Sequence, residues 1–251
     1  MKRVKTCTDS GAVREVKVFN VAERTDIKTA RPPRPRFAND AEREAFCLDI
    51  SRRRHAQTFN ANFGPTSLYS TLTFSDEYEV HTFKDARRIR DNFIRRIQYR
   101  FPKARIMIYM GRGKGTHRIH FHMVSDGVPE DMIRLLWCMG DIVAISHLRK
   151  HNYYNGIDHG QDYTGLANYL FNHWTPEQGG RRRWKQTANL RKPDKGKPVE
   201  VKREYSEKRP PRTPKGYILV ESKKTKYGYL YFKYVKEPEP DRPRKGKPSR
   251  C

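Results

Sequence analysis

The sequence lacks three features: paired cysteines, long apolar runs, and enough acidic residues to balance its bases. The four cysteines, Cys7, Cys47, Cys138 and Cys251, lie far apart and form no CxxC pair, which argues against a zinc finger and against a secreted disulfide framework. No apolar run is long enough to cross a membrane, and the N-terminal segment lacks the apolar stretch of a signal peptide. We therefore expect a soluble, cytoplasmic protein without a membrane partner.

The missing acidic charge leaves a formal net charge of +25, from 53 Lys and Arg against 28 Asp and Glu. Residues 61–175 are nearly balanced, with 15 basic and 11 acidic side chains, whereas residues 176–251 carry 24 against 9. Basic side chains that neutralise phosphates gain free energy by releasing condensed counterions, so the excess predicts a nucleic-acid partner. A charged, solvated surface or an association with ribosomes is the alternative interpretation.

The same distribution of charge divides the chain into three predicted segments. Residues 1–60 form a basic, partly extended N-terminal arm with a helix near 39–58. Residues 61–175 form the folded domain. Residues 176–251 form a basic region that is flexible at its end, with one β-hairpin near 217–235, where two β-rich runs flank a short polar link.

Residues 67–174 predict a fixed order of elements. SLYSTLTF alternates as a strand does, and TFKDARRIRDNFIRRIQYRF has one apolar stripe at helical spacing. The complete series is a strand at 67–74, a helix at 82–101, strands at 104–110 and 118–125, a helix at 129–139, a strand at 140–148 and a helix at 162–174. This β-α-β-β-α-β-α order predicts an α+β fold of ferredoxin-like type, an antiparallel sheet with helices on one face.

Two histidines lie in the middle of the fourth of these elements. On a strand, residues two apart point to the same face, so His120 and His122 project together and form a partial metal site. Two exposed histidines without a ligand role are the alternative. The third ligand stays open among His117, which a bulge would have to turn, and Asp76 or Glu77 just beyond the first strand.

The last helix carries the candidate nucleophile. Tyr169 and His173 are four residues apart and share one helix face. A phenol there can attack a phosphodiester and become linked to the 5′ side of the break. His173 is a possible accessory residue, and Tyr163, about 120° away around the helix, is a weaker second candidate. Core packing is the alternative role for each tyrosine.

Three motifs resemble those of the HUH endonuclease superfamily, specifically the rolling-circle replication initiators of plasmids and phages. They are LYSTLTFSDE (68–77), RIHFHMV (118–124) and GLANYLFNH (165–173), with Tyr169 at the nucleophile position. The resemblance implies that 61–175 is an endonuclease domain that uses Mg²⁺ or Mn²⁺, nicks single-stranded or hairpin origin DNA and leaves a 3′ hydroxyl as primer. The chain departs from many relatives in having no lysine just beyond the tyrosine and no carboxylate on the strand before the histidines.

Several basic side chains could hold the DNA in this interpretation, although simple solvation explains most of them individually. The candidates are Arg112, Lys114, Arg118, Arg181, Arg182 and Arg183. GRGKG does not match the pattern of a phosphate-binding loop, so strand separation and synthesis would need a host helicase and polymerase. The alternative functions are a plasmid mobilisation relaxase or HUH transposase, or a non-catalytic nucleic-acid-binding protein.

Overall fold

The computed structural model describes residues 1–32, 34–113, 115–140, 143–179 and 182–238. These residues form an α+β fold with antiparallel sheets. The four α-helices of this part of the chain are α1 (Asp40–Asn62), α2 (Phe83–Arg100), α3 (Glu130–Leu136) and α4 (Thr164–Phe171). The strands are β1 (Lys2–Ser10), β2 (Val13–Val21), β3 (Leu68–Leu72), β4 (Arg105–Arg112), β5 (Ile119–Asp126), β6 (Val143–His147), β7 (Tyr153–Tyr154), β8 (Ile157–Asp158), β9 (Lys185–Gln186), β10 (Asp194–Lys195), β11 (Val199–Glu200), β12 (Tyr217–Lys224) and β13 (Leu230–Lys236).

The central sheet has the strand order β6-β3-β5-β4-β9, and every pairing in it is antiparallel. The elements predicted between 67 and 174 are present in the predicted order, and the small β7–β8 hairpin is added before α4. β5 lies between β3 and β4, so His122 has Thr71 on one side and Tyr109 on the other. The histidine pair is therefore held in the middle of the sheet.

Helices cover both faces of this sheet, and the prediction that they lie on one face is wrong. On one face α2 and α3 pack over Ile106, Ile108 and Phe121. On the other, α1 and α4 pack over Met107 and Tyr109. The physical reason is that β4 is apolar at nearly every position, so both of its faces require cover.

A second sheet joins the two ends of the chain, with the order β10-β1-β2-β13-β12 and β11 paired to β1. The C-terminal hairpin predicted near 217–235 is confirmed as β12 and β13. The predicted N-terminal arm is instead a β-hairpin whose second strand pairs with β13, and only its helix, α1, matches the prediction. Part of the predicted flexible tail, 239–251, lies outside the described residues.

Local signals fix where the two long helices, α1 and α2, begin. The Asn39 side chain accepts the backbone N–H of Glu42, and the Glu42 carboxylate accepts the N–H of Ala38, a reciprocal cap that starts α1. The Thr82 hydroxyl caps α2 by accepting the backbone N–H of Asp85.

Among the described residues, no helix combines the length and the apolar character that crossing a bilayer requires.

Candidate active site

His120 and His122 lie side by side on β5. Their Nε2 atoms are 3.2 Å apart, which matches the roughly 3.0–3.4 Å between two nitrogens that bind one ion at about 2.1 Å. His122 is buried and His120 is half-buried. The strand periodicity therefore places both imidazoles on the same face, as predicted from the sequence.

A third imidazole reaches the pair from the second residue beyond the end of α4. His173 lies with its ring centroid 4.6 Å from that of His122, and the ligand atoms of all three histidines lie within 4.8 Å of one another. Its Nε2 is buried and has no hydrogen-bond partner among the described residues. Because an orphaned buried nitrogen costs free energy, a bound ligand at this point would satisfy it.

Gly111 makes room for this convergence. It lies opposite His120 on β4. A Cβ at this position would come 2.8 Å from the His120 Nε2 and 3.1 Å from the His173 Nδ1. Any larger residue would thus displace two of the imidazoles.

The backbone of His173 is fixed to the sheet by Gln178. The buried Gln178 side chain donates to the carbonyl of His173 at 2.9 Å and to the carbonyl of Met110 on β4 at 3.0 Å. This clamp sets the distance between the end of α4 and the strand that borders the histidine pair.

All three imidazoles are held neutral. Burial, with the neighbouring His120 and His173, lowers the pKa of His122 to about 3. Burial also lowers the pKa values of His120 and His173. A neutral imidazole offers a lone pair, so the three rings are in the protonation state that metal ligation requires.

Two hydroxyl groups orient the ring of His122. The Tyr69 hydroxyl lies 2.7 Å from the His122 Nδ1, and the Thr71 Oγ1 lies 3.2 Å from the same atom. Both come from β3, the neighbouring strand. A partner on Nδ1 determines which nitrogen of the ring carries the proton, and so whether Nε2 is free to bind an ion.

Tyr169 lies over the histidines on α4 and is open to solvent. The residue is 54% exposed, and its ring lies 4.5 Å from the ring of His173 and 6.1 Å from that of His122, measured between centroids. Its contact with His173 is edge-on, as the i, i+4 spacing places them on one face. A phenol in this position is accessible to a strand that also reaches the imidazoles.

The N-terminus of α4 is anchored to the second sheet and to α1. The Asp162 carboxylate accepts the backbone N–H and the hydroxyl of Thr164, and it forms a buried ion pair of 2.5 Å with Lys233 of β13. Asn60 of α1 accepts the backbone N–H of Tyr163. The second sheet thereby positions the helix that carries Tyr169.

The other candidates for catalysis and metal binding lie away from the three imidazoles. Tyr163 is 2% exposed and donates its hydroxyl to a backbone carbonyl, and burial raises its pKa to about 12. His117 is exposed in the β4–β5 turn, with φ 55°. Asp76 and Glu77 are exposed, and Asp76 is paired with Arg118. The structure thus brings His173, and not His117, Asp76 or Glu77, to the histidine pair.

The predicted DNA-binding arginines are in varied surroundings. Arg118 is bound by Asp76 and Glu79, so its charge is already neutralised. Arg112 lies over the ring of Phe83, 5.1 Å from its centroid, and 3.8 Å from a carboxylate oxygen of Glu177. The two remaining described candidates are Arg182, which is exposed, and Arg183, which stacks on Phe171 and Trp174. Lys114 and Arg181 lie outside the described residues.

Sequence reasoning missed His173 as a ligand, and it missed Tyr69, Gly111 and Gln178 altogether. The i, i+4 spacing of Tyr169 and His173 was the one available signal.

Comparison with protein-family models, with curated proteins and with solved structures gives no match.

Proposed function

We propose that the chain is a rolling-circle replication initiator of the HUH type, which nicks single-stranded origin DNA through a 5′-phosphotyrosine. The observation that carries this proposal is an exposed phenol, Tyr169, whose ring lies beside two of three convergent neutral imidazoles. The resemblance of the sequence motifs supports it. So does the strand order β6-β3-β5-β4, in which the fourth, first, third and second strands of the domain are neighbours, as in a ferredoxin-like fold.

The residues present fit a divalent metal ion. His120, His122 and His173 would hold it, each through one imidazole nitrogen. Of the two ions predicted, Mn²⁺ suits an all-nitrogen donor set better than Mg²⁺, which prefers oxygen ligands. When bound, the ion supplies positive charge that offsets the charge developing on the non-bridging phosphate oxygens.

The protein's own groups carry the transfer. The Tyr169 oxygen attacks the scissile phosphorus, the phenolic proton passes to water at the exposed ring, and the bond from phosphorus to the 3′ oxygen breaks. The 3′ oxygen takes a proton from water and leaves as a hydroxyl that can prime synthesis. The phosphotyrosine conserves the bond energy, so resealing needs no nucleotide cofactor.

Tyr69 has a positioning role in this scheme. If His122 is to present a lone pair on Nε2, its proton must lie on Nδ1, and the Tyr69 oxygen 2.7 Å away is the acceptor for it.

The test is a transfer assay with a pool of single-stranded oligonucleotides of random sequence, labelled at the 3′ end, in the presence of Mn²⁺. The protein should acquire the label, because the phosphotyrosine retains the 3′ fragment, and a 5′-labelled pool should leave it unlabelled. Tyr169→Phe should abolish the adduct. Tyr99→Phe, which changes an exposed tyrosine on α2, should not.

Labelling that survives Tyr169→Phe would refute the assignment of the nucleophile. A protein that binds the pool tightly and never becomes labelled would be a non-catalytic nucleic-acid-binding protein. If the adduct forms, a mobilisation role predicts that loss of Tyr169 blocks plasmid transfer in mating assays and leaves copy number unchanged, whereas initiation predicts loss of replication. Because the sequence has no phosphate-binding loop, initiation would also require a host helicase and polymerase.

A further inference from the structure

The small hairpin of β7 and β8 holds large apolar side chains out in solvent. Tyr153 and Tyr154 are 72% and 67% exposed, and Ile157 across the turn is exposed as well. Burial of aromatic surface is strongly favourable, so adjacent exposed aromatics at one tip mark a surface that is covered by a partner.

The hairpin is built to be rigid. Asn155 and Gly156 adopt left-handed conformations, with φ 49° and 75°, as the two central residues of a type I′ turn do. At the base, the His151 Nδ1 lies 2.7 Å from the Asp158 carboxylate, and the Asn152 amide donates to a backbone carbonyl at 2.6 Å. An isolated two-stranded hairpin is marginally stable, so these bonds hold the tip in place before any partner arrives.

Two cationic side chains lie a few residues before the hairpin in the sequence. Arg149 and Lys150 are exposed, and in the described part of the chain neither side chain has an ion pair. The hydroxyl of Tyr163, the residue before α4, donates to the Arg149 carbonyl at 2.9 Å. The hairpin is thus tied to the start of the helix that carries Tyr169.

We infer that the β7–β8 hairpin binds single-stranded nucleic acid, with bases stacked on Tyr153 and Tyr154 and phosphates held by Arg149 and Lys150. Aromatic faces accept any base, and unpaired cations complement the backbone charge, so the combination fits an unpaired strand better than an apolar peptide. The inference rests on the proposed function for the identity of the strand as DNA, but it does not require the nicking reaction.

The test is fluorescence anisotropy with a labelled single-stranded DNA of mixed sequence, using the full chain carrying Tyr169→Phe so that no strand is cut. Adding Tyr153→Ala and Tyr154→Ala should weaken binding at least about tenfold, equivalent to about 1.4 kcal/mol. The corresponding Phe variants should bind as the parent does, since they keep the rings. Tyr99→Ala should also leave the affinity unchanged.

Two further measurements separate stacking from charge. An abasic strand should bind as weakly to the parent as the normal strand binds to the double Ala variant. Arg149→Gln with Lys150→Gln should lower the slope of log affinity against log salt by about 1.4, whereas the tyrosine variants should keep it. Unchanged affinity of the double Ala variant, or equal binding of the abasic strand, would overturn the inference and leave a protein partner as the explanation of the exposed tip.

The two proposals fail separately. Loss of binding in the Ala variants, with no covalent adduct formed by any protein, would uphold the hairpin and refute the nuclease. A covalent adduct that depends on Tyr169, together with an affinity that is unchanged in the Tyr153 and Tyr154 variants, would uphold the nuclease and refute the hairpin proposal.

Discussion

Replacing Lys233 by methionine should destabilise the protein by about 3–5 kcal/mol, the usual cost of leaving one charge of a buried ion pair without its partner. The side chains of Lys233 and Asp162 are only 8% and 4% exposed, and their charged atoms are 2.5 Å apart. Methionine keeps most of the apolar stem, so packing changes little. The Asp162 carboxylate would retain its two bonds from Thr164 and the His159 Nδ1 at 3.6 Å.

The effect should depend on pH in a defined direction. Burial favours a raised pKa for Asp162, but Lys233 and the bonds from Thr164 outweigh it and hold the pKa below its ordinary value. In the parent protein this contribution to stability is therefore present above pH ~4 and lost as the pH falls through the folded pKa. In Lys233→Met the pKa of the unpaired Asp162 carboxyl is raised, so the group can take up a proton. The difference in free energy of unfolding between the parent and this variant should therefore narrow as the pH falls from 7 towards 4.

Urea unfolding monitored by circular dichroism measures this difference, and the second sheet supplies a matched control. Lys223 and Glu221 also lie 2.5 Å apart, but their side chains are 50% and 38% exposed. Lys223→Met should cost no more than about 1 kcal/mol. Equal, small losses in both variants would show that water screens the Asp162 pair and that it does not anchor α4.

Three further perturbations test the histidine cluster and the core. Gly111→Ala brings a Cβ within 2.8 Å and 3.1 Å of two imidazole nitrogens, so Mn²⁺ affinity by calorimetry should fall at least about tenfold, whereas Gly115→Ala, which meets no atom within 4 Å, should have no effect. Tyr69→Phe removes the nearer of the two hydroxyl partners of the His122 Nδ1 and leaves Thr71. It should weaken Mn²⁺ binding at least about tenfold while the urea midpoint holds. Burial lowers the pKa of His55 to about 3. Between pH ~6.5 and pH 3 only the unfolded chain takes up a proton at this residue, so the free energy of unfolding should fall by up to about 1.4 kcal/mol per pH unit. In His55→Phe the free energy of unfolding, measured in urea, should fall less steeply over this range.

The parts of the site that depend on one element could be predicted from the sequence. The period of two on β5 puts His120 and His122 on one face, and the period of 3.6 on α4 puts His173 near Tyr169. The third ligand could not be chosen, because it depends on how close α4 lies to β4. That distance is set by Gln178, whose bonds to both elements leave no pattern in the sequence.

The fold was predicted where contacts are local and missed where they are not. β2 pairs with β13, so residues near 13–18 meet residues near 230–235, and no local pattern reports such a pairing. The β-branched character of VREVKVFNV was nevertheless visible and indicates a strand. The covered second face was also signalled, since Ile106, Met107, Ile108 and Tyr109 leave β4 without a polar side.

The second sheet changes what the C-terminal charge means for the site. If the basic C-terminal region only attracted DNA, its removal would lower the affinity for DNA and leave the folded site unchanged. Here β13 passes Lys233 beneath the start of α4, where its charge is paired with Asp162 and lies out of reach of any phosphate. Its role is to hold the helix that presents Tyr169, so this part of the positive charge acts on the position of the proposed nucleophile. If the chain binds a DNA strand as proposed, exposed cationic side chains such as Arg149 and Lys150 would have to hold its phosphates.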